Sequence, residues 1–177
     1  MSDDGEGLSR PLTLAEVPAR GRDVEVKTSA EERARVAALL RLPEVSALTA
    51  ALHVARFGAD GLAVTGEIHA QLSQVCVVTS ETFDSDIVAP VDIRFSPEGI
   101  DPNSDVALAD LADPEADDPP DRMVGGRIDL GTVITEFLAL ALDPYPRMPG
   151  VAFSGEEADP DDPVSPFAAL SRLKDKP

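Results

Sequence analysis

Three long stretches of period-two alternation constrain this chain more than any other feature. From Leu48 the even positions are apolar (Leu48, Ala50, Leu52, Val54), and Thr49, Ala51, His53 and Ala55 alternate with them. From Leu62 the even positions again carry the apolar set, Leu62, Val64, Ile68, Ala70 and Leu72, against Glu67, His69, Gln71 and Ser73. In the third stretch the odd positions are apolar (Phe83, Ile87, Ala89, Val91, Ile93, Phe95), with Asp84, Asp86, Asp92 and Arg94 between them. Successive side chains of a strand point to opposite faces, so this pattern specifies strands with one face buried and one in water.

The turns then set the parity of pairing. For even positions to face even positions across the first hairpin, its loop must hold an odd number of residues. Ala59-Asp60-Gly61 supplies such a loop, with Gly61 free to adopt a left-handed conformation. In the second hairpin even must face odd, so the loop length is even. A two-residue loop at Thr79-Ser80, or a six-residue loop over 77–82, pairs Cys76 with Phe83, Leu72 with Ile87 and Ile68 with Val91. The expected fold class is α+β: a three-stranded antiparallel meander covered on one face by helices.

Two helices are expected to supply that cover. Thr28/Glu31 and Ser29/Glu32 form overlapping capping boxes, and the helix after them places Val36, Leu39 and Leu40 on one face before stopping by Pro43. Asp129 is a good N-cap for a second helix running to Leu142, apolar on most sides, with Glu136 its one charge; that breadth predicts deep burial. Asp23 to Lys27 is a short strand candidate.

The remaining segments are punctuated differently. Residues 1–12 read as a disordered lead, and 13–153 as a single α+β domain. Within it, 96–126 is expected to be an acidic mobile loop: residues 96–121 hold nine acids and no Lys or Arg, too polar to offset their ordering entropy. Residues 154–177 read as an acidic tail closing in a short helix, with Phe167, Leu170 and Leu173 at helical spacing.

Charge bounds the partners. Thirty-three acids against fifteen bases give a formal charge of −18, which disfavours broad binding to RNA or anionic membrane and favours basic partners. Residues 10–42 are the locally positive exception, with seven bases against five acids. Arg20, Arg22, Arg33 and Arg35 are therefore the candidate binding residues. The acidic N-terminus has no apolar signal-peptide core, no 18-residue apolar run is present, and one cysteine, Cys76, suits a reducing compartment. A soluble cytoplasmic protein is expected.

No catalytic residue emerges. HExxH, paired CxxC, Walker and GxSxG patterns are missing, and Gly125-Gly126 reads as a hinge before a helix. His53 and His69 fall on the solvent face and are not opposite one another, well short of four convergent zinc ligands. Cys76 has no Lys, Arg or His beside it in sequence, so a buried, inert thiol is expected. No metal, cofactor or small-molecule substrate is anticipated.

The run from Val64 through Gly66, Gln74 and Cys76 to Thr79 resembles the YceD-like family, the large ribosomal RNA subunit accumulation proteins, whose members carry a V-x-G strand running into a cysteine-bearing turn. The acidic stretch after the third strand, the Asp129-Leu130 helix ending in Leu142-Asp143-Pro144-Tyr145-Pro146-Arg147, and the closing Pro166-Phe167-Ala168-Ala169-Leu170 agree in order and spacing. The likeness is closest to the alphaproteobacterial-type branch. Many members have Cys-x-x-Cys where this chain has Cys76 and Thr79, so any redox or metal role of that pair is lost here. The resemblance implies a non-catalytic factor in ribosome biogenesis that supports 23S rRNA levels. Its partner would be a pre-ribosomal particle, rRNA or a basic ribosomal protein. An acidic escort for such a protein, and an enzyme with an unrecognised carboxylate site, are the competing expectations.

Overall fold

Alternating apolar residues fold here as the sequence predicts. In the computed structural model, which describes residues 7–99 and 119–152, strands β3 (Glu44–Phe57), β4 (Gly61–Val75) and β5 (Thr82–Ser96) form an antiparallel meander. Burial follows parity: Leu48, Leu52, Val54, Leu62, Val64, Ile68 and Leu72 are at most 3% exposed. Ile87 and Ile93 are partly buried against the same core.

Pairing parity is as expected, whereas the registers are moved by two residues. The first loop is 58–60, with Phe57 opposite Gly61 and Val54 opposite Val64. Gly58, at φ 60, takes the left-handed position expected of Gly61. The second loop is 76–81, with Val75 opposite Thr82, so Gln74 rather than Cys76 faces Phe83, and Ile87 faces Ala70 rather than Leu72. A two-residue slip keeps every side chain on its own face, so the hydrophobic pattern cannot distinguish the two.

The meander is the centre of a five-stranded sheet, β2-β3-β4-β5-β6. β2 (Arg22–Lys27) lies antiparallel to β3 and adds Val26 to the core. β6 (Asp121–Arg122) pairs in parallel with Phe95 and Ser96. Met123, 4% exposed, donates its N–H to the Ser96 carbonyl at 2.8 Å. The expectation of a mobile loop over 96–126 is therefore corrected at both of its described ends. Residues 100–118 of that loop, and the tail 154–177 where a short terminal helix is expected, lie outside the described residues.

The expected disordered lead is also corrected from residue 7. β1 (Pro11–Thr13) pairs antiparallel with β7 (Arg127–Asp129), and Leu8 and Leu12 are 4% and 5% exposed. The Asp129 carboxylate holds this junction, accepting from Ser9 Oγ at 2.6 Å, Arg10 N–H at 2.7 Å and Gly131 N–H at 2.8 Å. Residues 1–6 lie outside the described part.

Helix α1 (Ala30–Leu40) uses the Ser29/Glu32 capping box; the Thr28 hydroxyl instead donates to the Leu48 carbonyl at 2.8 Å. It buries Val36 and Ala37, while Leu39, expected on the core face, is 50% exposed. Helix α2 (Leu130–Ala141) starts at the Asp129 N-cap and buries Leu130, Val133, Ile134 and Leu138. Leu140 is 81% exposed, so α2 lies on the core by one side and is not surrounded by it. Both helices share the core with the apolar face of the sheet. The opposite face is uncovered among the described residues.

Candidate functional site

β4 ends in the turn that carries the sequence's distinctive residues. The Cys76 N–H donates to the Glu81 carbonyl at 2.8 Å, and the Ser80 N–H returns to the Cys76 carbonyl at 2.9 Å, closing the turn. The segment after α2 packs onto it: the Val77 N–H donates to the Pro146 carbonyl at 2.9 Å and the Met148 N–H to Cys76 Sγ at 3.4 Å. Gln74 is 6% exposed and accepts from Ser85 Oγ at 2.9 Å. The Thr79 hydroxyl accepts the Glu81 N–H at 3.3 Å.

Cys76 is 1% exposed, as expected of a buried thiol. Its acidity is not that of an inert one. The Met148 N–H, then the Thr79 hydroxyl and N–H, and the Val78 N–H draw its pKa down to about 7, against a weaker upward push from burial. Hydrogen-bond donors of the backbone and of Thr79 do here what a neighbouring cation does elsewhere. Met148 lies far away in sequence, so inspection of Cys76's neighbours could not reveal it. What the turn offers chemically is a thiolate-stabilising cradle. Among the described residues no group of three or more His, Cys, Asp or Glu side chains is placed to hold a metal ion.

The V-x-G start of this run also has a structural cause. Gly66 sits in β4 at φ 149, where a Cβ would collide with the Ala51 carbonyl oxygen on the neighbouring strand. Only glycine allows that close approach.

The four candidate arginines separate into two places. Arg20 and Arg22 line a cleft of about 510 Å³ with Glu16, Asp23 and His53. His53 Nδ1 stands 2.6 Å from Asp23 Oδ1. Arg33 and Arg35 lie beyond the other end of β2, which is roughly 20 Å long at strand rise. Arg33 donates to the Thr28 carbonyl at 2.9 Å, Arg35 to the Gly7 carbonyl at 3.3 Å, and Arg10 pairs with Glu32 at 2.7 Å. A basic segment in sequence is thus no single basic patch in space. His53, by contrast, joins Arg20 and Arg22 without any signal in the sequence. His69 stands apart, opposite Val88, with Glu67 at 3.7 Å.

A second cleft of about 510 Å³ lies between the end of β5, β7 and α2. Asp121 and Glu136 line it above Phe95, Ile128 and Val133. Burial raises the pKa of both, and the Asp121 charge raises that of Glu136 further. Asp121 falls where a solvated loop is expected from sequence, so this pair was not anticipated.

Comparison with known proteins gives one family. The family model described as large ribosomal RNA subunit accumulation protein YceD matches residues 64–174, from the start of the V-x-G run past α2. No curated protein and no solved structure matches the chain.

Proposed function

This chain belongs to the family of large ribosomal RNA subunit accumulation proteins, and we propose from that premise that it is a non-catalytic accessory factor in ribosome biogenesis. It supports 23S rRNA accumulation and large-subunit assembly in the cytoplasm. The observation that carries this reading is the family match, which takes in the second and third meander strands, the cysteine turn and α2. No helix among the described residues is long and apolar enough to cross a membrane.

The charge distribution shapes how such a factor engages its target. With a formal charge of −18, diffuse attraction to phosphates is opposed, so RNA contact is local. The Arg20/Arg22/His53 cleft is the place for it, because Arg10, Arg33 and Arg35 are engaged within the protein. That same engagement is what favours the second reading, an acidic escort for a basic ribosomal protein. Purification of the tagged protein from its native cell, with RNA and protein both sequenced, separates the two. Large-subunit rRNA with several ribosomal proteins supports a particle-bound factor. One stoichiometric basic protein without RNA supports the escort. Recovery of neither rRNA nor a ribosomal protein would overturn both.

A further inference from the structure

The uncovered face of the sheet carries its own apolar trail. Val75 and Val88, on that face in β4 and β5, are 46% and 57% exposed, and Val77 in the adjoining turn is 50% exposed. At Val88 a shallow groove of about 250 Å³ crosses the face, lined also by Ala47, Thr49, His69, Gln71 and Asp86. Asp84, one alternate position along β5 from Asp86, continues the acidic rim. Exposed valines beside the carboxylates of Asp84 and Asp86, around a groove of mixed lining, fit an occupant that is both apolar and basic.

The chain holds such a segment. Beyond the described residues, 153–165 carry five acids and no base, whereas 166–177 carry Arg172, Lys174 and Lys176 against the single acid Asp175. Phe167, Leu170 and Leu173 recur there at the three-residue spacing that gives one helical face. The described chain ends four residues past Met148, which is bonded to Cys76 beside this same end of the sheet. Thirteen residues of random coil have a root-mean-square span of roughly 20 Å. That is about the distance strand rise gives from Thr82, at the turn, to Val88. The acidic spacer is repelled by the rim, and the basic end is attracted to it.

We propose that residues 166–174 dock on the uncovered sheet face between Val75 and Val88, with Phe167 and Leu170 over the groove and Arg172 and Lys174 toward Asp84 and Asp86. The family match, which reaches residue 174, takes in this segment. The docking does not depend on the ribosomal reading.

Paired cysteines in the full-length chain test it, all in a Cys76→Ser background. Gln71→Cys with Ser171→Cys places thiols at the groove and on the docked segment. Ala63→Cys with Ser171→Cys is the control, on the same face at its far end. Under a mild oxidant at low protein concentration, the groove pair should form an intramolecular disulfide at least tenfold faster than the control. Phe167→Asp or Val88→Asp, each with unchanged circular dichroism, should reduce it to the control rate. Equal rates for the two pairs would overturn the proposal, as would dimers in place of intramolecular product, since a second copy would then occupy the face. A groove-pair rate untouched by Phe167→Asp and Val88→Asp would overturn it too.

Discussion

Met148, on the segment after α2, donates its backbone N–H to Cys76 Sγ at 3.4 Å, so residues 72 apart in sequence share one turn. The contact makes the state of the thiol a report on how the post-helix segment is docked. Donors aimed at sulfur favour the thiolate, and they are present only in the folded chain.

The sign of the resulting pH dependence follows. The folded pKa is lowered from about 9 to about 7, so Cys76 contributes stability fully above the unfolded value and loses it as pH falls through about 7. Denaturant titrations of wild type and Cys76→Ser should differ more at pH 9 than at pH 6.5. A gap that stays constant would mean the donors do not reach the sulfur. Thiol reagents should nevertheless react slowly in native buffer and quickly after unfolding, because the residue is 1% exposed.

Gly131 reverses an ordinary helix rule. Ala is normally favoured over Gly inside a helix by about 1 kcal/mol. Here a Cβ would collide with the Leu8 carbonyl, which lies across the first turn of α2. Gly131→Ala should therefore destabilise, and Leu8→Ala should destabilise as well, since Leu8 is 4% exposed. A more stable Gly131→Ala variant would mean that residues 7–13 are not docked.

The two faces of the sheet make opposite predictions. Leu72→Ala should cost roughly 2–4 kcal/mol, because Leu72 is 2% exposed in the core. Ile87→Ala should cost less, as Ile87 is only partly buried. His69→Ala, on the open face, should cost under about 0.5 kcal/mol. Urea midpoints of the three variants decide the order.

Legibility in the sequence tracked the length of each pattern. Leu48 to Phe95 supply enough alternation to identify three strands, their faces and the parity of their loops. Parity fixes pairing only modulo two, so the register of Ile68 against Ala89 instead of Val91 needed the structure. β1, β6 and β7 are two or three residues each, too short for any periodicity, and β1 and β6 sit in stretches read as disordered. Leu8 and Leu12 are buried through Asp129, more than a hundred residues away. Cys76 and Thr79 were visible as a motif, but the donor that most perturbs the thiol was not. Arg20, Arg22, Arg33 and Arg35 are neighbours along the chain and are divided by a strand in space.

Strong acid should weaken the start of α1. Arg10 and the Ser29 N–H hold the Glu32 carboxylate at a pKa of about 2, so its contribution to stability is lost as pH falls from the ordinary carboxylate value through about 2. Glu32→Gln should flatten acid unfolding over that range. Ser29→Ala, which removes the N-cap oxygen, should cost about 1 kcal/mol at neutral pH. Acid titrations followed by circular dichroism would show whether the Glu32→Gln curve is flatter; superimposable curves would exclude the Arg10–Glu32 pair as a contributor.

Depletion from the native cell should lower 23S rRNA relative to 16S and reduce free 50S particles, with bulk mRNA turnover unchanged. An accessory factor acts stoichiometrically, so rescue should scale with protein dose. Cys76→Ser should rescue, since serine can sit in the turn and no second thiol stands at Thr79. Ile134→Pro should not, because it removes a backbone hydrogen bond at a fully buried position of α2 and costs about 3 kcal/mol or more. The informative comparison is between two charge reversals of equal size. Arg20→Glu/Arg22→Glu inverts the cleft beside His53, whereas Arg33→Glu/Arg35→Glu inverts residues occupied with the protein's own backbone. If RNA is met at the cleft, the first pair should lose rescue while folding normally, and the second should retain it in proportion to its residual stability. Loss from both pairs in proportion to stability alone would remove the cleft as a contact, and an unchanged 23S:16S ratio on clean depletion would remove the ribosomal reading itself.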